Sequence, residues 1–171
     1  MLCVGSCAPL LIQQRIHPGK TFKRSWDEYK YGFGDSKGNY WIGNDVISYL
    51  TTNGNYTLKF HLQSRKTGNW YYAEYSTFVV LPEAQNYKLQ VAGYSGNAGK
   101  DAMYVHNRHM FTTYDRDNDG HSWGNCGAYF GGGFWYNHCL HCGVNSNNLF
   151  YWPGLPAHGV LQKSRMWLQC K

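Results

Sequence analysis

At 171 residues with a formal net charge of +6, the chain has the length of one domain and enough residues to bury a core. Charged residues make up only 15% while aromatics reach 18% beside 20 glycines, which excludes a disordered chain or a coiled coil and fits a loop-rich fold packed on large rings. The basic residues are scattered rather than striped, so nucleic acid is a poor partner, and the charge supports at most a weak attraction for polyanionic glycans or anionic surfaces.

Taken in chain order, Met1 to Leu11 lacks a basic leading region and soon runs into Gln13-Gln14-Arg15, which makes it a poor secretory signal. No run approaches the ~20 apolar residues needed to span a bilayer. Ser25 to Tyr31 reads as a short helix, because Ser25 and Glu28 have capping-box spacing and Gly32 follows. Asn44 is placed to cap a second helix through Ile47 to Leu50. Thr57 to Leu62 alternates apolar and polar residues, the pattern of a half-buried strand. Lys66 to Asn69 is turn chemistry, and Tyr72–Val80 and Tyr87–Val91 read as two further strands. From Gly93 onward the periodicity fades into Gly, Asn and aromatics. The expectation is an α+β fold: an antiparallel sheet with short helices, followed by a long looped region that carries the sites. Asn55-Tyr56-Thr57 is an N-glycosylation sequon in the turn before a strand.

The most informative stretch is Asp115 to Cys139. Asp115, Asp117 and Asp119 alternate in a Gly/Asn-rich loop, an arrangement that suits calcium, which takes hard oxygen ligands in flexible geometry. Turn chemistry without a metal is the competing account of the same residues. The start matches an EF-hand loop, but Cys126 stands where that loop needs its closing Glu, and no helical segment precedes it. Six cysteines permit a disulfide framework without revealing its connectivity. Cys139-Leu-His-Cys142 has no second pair at zinc-finger spacing, so zinc is not supported, and no enzyme is expected.

Asp115-Arg-Asp-Asn-Asp119, Gly124-Asn-Cys126 and Phe134-Trp-Tyr-Asn-His-Cys139 together resemble the fibrinogen C-terminal domain family, which includes the fibrinogens, ficolins, tachylectins, angiopoietins and tenascins. Gly93-Tyr-Ser-Gly-Asn-Ala-Gly99, Trp26 to Gly34 and Tyr40-Trp-Ile-Gly-Asn44 extend the resemblance. It implies an atypical segment at 1–10 and a fibrinogen C-terminal-like domain at 11–171. That domain would be N-terminally truncated and would also lack residues between Gly159-Val160 and Lys163.

The resemblance further implies a Cys126–Cys139 disulfide, and hence an oxidising, extracellular setting. Cys3, Cys7, Cys142 and Cys170 stay unassigned. Calcium would be held by the Asp117 and Asp119 side chains, with carbonyl donors falling among His121, Ser122 and Trp123, while Asp115 supports the loop. An acetyl-binding site would form around Phe130, His138, Cys139 and Ala157, with a cis His138–Cys139 peptide. Leu140 and Pro156 depart from the residues usual in that site. The function expected first is a secreted lectin that binds acetylated carbohydrate in innate immune-type recognition, with a homo-oligomer allowed. The alternative is a non-enzymatic matrix or receptor interaction module with a degenerate sugar pocket, whose partner is a cell-surface or matrix protein.

Overall fold

The computed structural model describes residues 8–171. Cys3, Cys7 and most of the segment at 1–10 therefore lie outside the described residues. A seven-stranded antiparallel sheet dominates. In chain order its elements are β1 (Leu10–Arg15), α1 (Trp26–Tyr31), β2 (Phe33–Gly34), β3 (Tyr40–Trp41), α2 (Asn44–Asn53), β4 (Tyr56–Ser64), β5 (Trp70–Val80), β6 (Leu89–Gly96), α3 (Cys126–Phe130) and β7 (Leu161–Cys170). The strand order is β2-β3-β1-β7-β4-β5-β6. The fold is α+β, as expected, and most of the stretch between β6 and β7 is loop.

The expected strands within β4, β5 and β6 are present, though β6 starts at Leu89 rather than Tyr87 and runs on to Gly96. The C-terminal strand is the main difference. β7 lies between β1 and β4 and pairs with both, so the last strand in sequence is central in space. It buries Leu161, Ser164, Met166 and Leu168. Its inward residues include a serine and an outward-leaning one is Trp167, so the apolar/polar alternation that marks a strand is inverted in places.

β1 is likewise disguised by polar residues. Gln13 and Arg15 are buried, and the Gln13 amide donates to Asn145 Oδ1 at 3.0 Å and Ser164 Oγ at 3.1 Å. Arg15 donates to the Ser146 carbonyl. These bonds tie the sheet to the late loops and satisfy groups that would otherwise be costly to bury.

Helix α1 carries the capping box that Ser25 and Glu28 predict. The reading of Asn44 is corrected. Gly43 is the N-cap of α2 and Asn44 is its first helical residue, because the Asn44 side chain turns inward and accepts the Trp41 indole N–H at 3.1 Å. Tyr29 then joins helix to loops. Its hydroxyl donates to the Phe22 carbonyl at 2.7 Å and accepts the Gly133 N–H at 2.9 Å. A Cβ on Gly133 would stand 2.6 Å from the Tyr29 ring, so only glycine allows this approach. Trp41, Phe111 and Trp135 pack edge-on or tilted about the same point, with ring centroids 5.2–6.4 Å apart. The looped half is thus seated on a rigid aromatic core.

Candidate functional site

The acidic loop is built by the strands and rings beneath it. Thr112 and Phe134 form an isolated antiparallel bridge, and the Thr112 hydroxyl accepts the Asn118 N–H at 3.0 Å. The Asn118 amide donates to the Phe111 carbonyl at 2.9 Å. Gly120 N–H reaches the Asn137 carbonyl at 3.0 Å, so the loop is laced to the segment that leads to Cys139. Asp119 accepts His121 N–H on Oδ1 and Cys126 N–H on Oδ2, both at 2.8 Å. Asp117 accepts the Asp119 N–H at 3.3 Å.

Asp115 Oδ1 accepts Trp26 N–H at 2.9 Å and the Thr113 hydroxyl at 2.7 Å. Burial, aided by the nearby Asp117 charge, holds the Asp119 carboxyl above its ordinary range, although the two backbone N–H groups pull it back down. Carboxylate oxygens are the hard donors calcium takes, but among the described residues no group of three or more His, Cys, Asp or Glu side chains converges on one point.

Cys126 opens α3, whose N-cap is Asn125: its side chain accepts Ala128 N–H at 2.8 Å. Cys126 and Cys139 are joined by a disulfide, as the resemblance implies. Cys170 is also disulfide-bonded, whereas Cys142 is a buried free thiol.

A groove of about 630 Å³ runs over this disulfide, lined by His121, Trp123, Gly124, Asn125, Cys126, Ala128, Tyr129, Phe130, His138 and Cys139. Phe130, His138 and Cys139 are therefore brought together as expected, alongside His121 and Trp123 of the acidic loop. Ala157 is not among the lining residues. It sits in the turn between Trp152 and Gly159 at φ 56°, where Trp152 N–H bonds to the Gly159 carbonyl.

The expected cis peptide is also corrected, since no described peptide bond is cis. Cys139 instead takes a left-handed φ of 62°, and the Asn137 N–H closes on its carbonyl at 3.1 Å. The backbone makes its sharp turn through that dihedral. The rim is aromatic and open: Trp123 is 92% exposed and Tyr129 is 72% exposed.

His106 is a residue that motif reading missed. It is fully buried, with Nδ1 2.8 Å from the Trp135 carbonyl and Nε2 accepting the N–H groups of His141 (3.2 Å) and Cys142 (3.3 Å). The proton thus resides on Nδ1, and a neutral ring fastens the backbone just after Cys139. Burial pushes its pKa down to about 4. Asn55 is exposed, and its carbonyl accepts Lys171 N–H at 3.1 Å, which leaves the side chain of the sequon at the surface. Among the described residues, no helix is long and apolar enough to cross a membrane.

Comparison with known proteins places this geometry. A family profile for the C-terminal globular domain of the fibrinogen beta and gamma chains matches residues 5–168. Angiopoietin-related protein 2 of Mus musculus is 44% identical over 129 residues, 75% of this chain and 26% of that protein. The chain thus spans about a quarter of that relative's length. The solved fibrinogen-like globe domain of human ANGPTL2 superposes with a TM-score of 0.87 at 36% identity, covering 95% of this chain and 80% of that one. Lamprey fibrin D-dimer, solved with the peptide ligand Gly-His-Arg-Pro-amide, gives a TM-score of 0.80 at 26% identity, over 94% of this chain and 60% of that one.

Proposed function

The chain belongs to the fibrinogen C-terminal domain family and is an extracellular domain, and from that premise we propose that it is a non-enzymatic interaction module that docks a protein partner through the groove over Cys126–Cys139. The observation that carries this reading is the rim. Trp123 and Tyr129 project as large exposed rings beside a floor of Phe130 and the disulfide, and such aromatic anchors dominate the energetics of protein interfaces. The similarity to angiopoietin-related proteins and to a fibrin that was solved with a short peptide supports the same reading.

Calcium belongs to the proposal. Asp117 and Asp119 would hold it, with carbonyls of the 121–123 segment, and its charge would keep the loop in one arrangement beside the groove. An acetylated sugar is the second reading. Phe130, His138 and Cys139 favour it by sharing the groove, but Ala157 lies elsewhere and the peptide before Cys139 is trans.

The test is a binding screen of the calcium-loaded protein against purified receptor and matrix ectodomains, with Trp123→Ala and Tyr129→Ala as probes. The module reading expects an ectodomain whose binding each substitution weakens about tenfold or more without lowering the melting temperature. Retention on N-acetylglucosamine resin, eluted by the free acetylated sugar, with no ectodomain bound, would instead establish the lectin reading.

A further inference from the structure

A second and larger cavity lies at the other end of the late loops and shares no residue with the groove. Its volume is about 890 Å³, within the usual range of ligand sites. It forms where the end of β1, the start of β7 and the loop at 147–150 meet. Arg15, Lys20, Arg65 and Lys163 line it, and no Asp or Glu does. None of the four has a carboxylate within ion-pair distance among the described residues.

Arg15 is the telling member, because it is only 7% exposed. Its guanidinium lies 4.1 Å from the centre of the Phe150 ring and donates to the Ser146 carbonyl. Burial brings its pKa down to about 10, so at neutral pH it stays charged without a counter-ion. A buried cation of this kind is costly until an anion meets it. The amide of Asn147 stands in the same wall with neither its nitrogen nor its oxygen hydrogen-bonded, so turning it toward a ligand would break no existing bond.

We infer that this cavity binds a sulfated and carboxylated glycan of the glycosaminoglycan class. Four cations spread around one opening match anionic groups repeated along a polymer better than a single phosphate. The amide and the Phe150 face suit sugar hydroxyls and rings. An extracellular setting supplies such polymers.

The experiment is titration of the protein with a size-defined heparin hexasaccharide near physiological salt, with a chemically desulfated hexasaccharide as the paired probe. Arg65→Glu with Lys163→Glu should weaken binding about tenfold or more, the scale of one lost charged contact, with an unchanged melting temperature. Lys20→Glu should weaken it in the same direction and serves as the second variant. Lys88→Glu with Lys100→Glu makes the same charge change away from the cavity and should alter binding less than about twofold. Equal losses from both double variants, equal affinity for the desulfated probe, or retention by acidic-phospholipid vesicles with no hexasaccharide binding would each overturn the assignment.

Discussion

The Asp115 carboxylate accepts the backbone N–H of Trp26 at 2.9 Å, across 89 residues of sequence. Trp26 is the first residue of α1, so its N–H has no partner within the helix. A carboxylate of the acidic loop thus acts as a second cap on a helix already closed by Ser25. It brings negative charge to the positive end of that helix.

Asp115→Ala should therefore destabilise the fold whether or not calcium is present, by roughly 1–2 kcal/mol, the usual cost of losing a helix cap. Urea unfolding in chelator measures this directly. Asp117→Ala in the same chelator should have the smaller effect, because its carboxylate receives only one long N–H bond.

Calcium should raise stability by binding the folded state alone. At a hundredfold excess over Kd the gain is about 2.7 kcal/mol, and it should vanish in Asp117→Ala and Asp119→Ala. A melting temperature that is the same in millimolar calcium and in excess chelator would remove calcium from the proposal.

His106 predicts an acid limit. Its ring is held neutral in the fold, with a pKa of about 4 against an ordinary 6.5. Its contribution is complete above pH 6.5, where folded and unfolded rings are both neutral. It falls as pH drops from there to about 4, because the unfolded ring takes up a proton that the folded one refuses. The loss is roughly 3 kcal/mol, and His106→Gln should flatten that segment of the stability curve.

The Cys126–Cys139 bridge closes a loop with a sequence separation of 13. Chain entropy alone sets its contribution near 3 kcal/mol. Replacing both cysteines by alanine should lower stability by about that amount, and it should loosen the groove before the sheet. Hydrogen exchange at 121–139 should accelerate while β4 and β5 keep their protection.

Short-range chemistry was legible in the sequence. The capping box at Ser25 and Glu28 and the alternation in β4 each depend on neighbours a few residues apart, and both are present. The family resemblance, carried by the Asp115–Cys139 stretch, supplied the Cys126–Cys139 bond that spacing alone left open. Only the tertiary structure decided what the polar residues do. Gln13, Gln14 and Arg15 read as the end of an apolar run, yet they form half of a buried strand because Asn145, Ser146, Ser164 and Arg165 reach them from more than 130 residues away. β7 is hidden for the same reason, since Ser164 faces inward only because Gln13 is there to bond it. Asn44 turns from cap to core because Trp41 offers an indole N–H. A polar side chain is stable inside only when its partner is supplied, and here the fold brings those partners from the far end of the sequence.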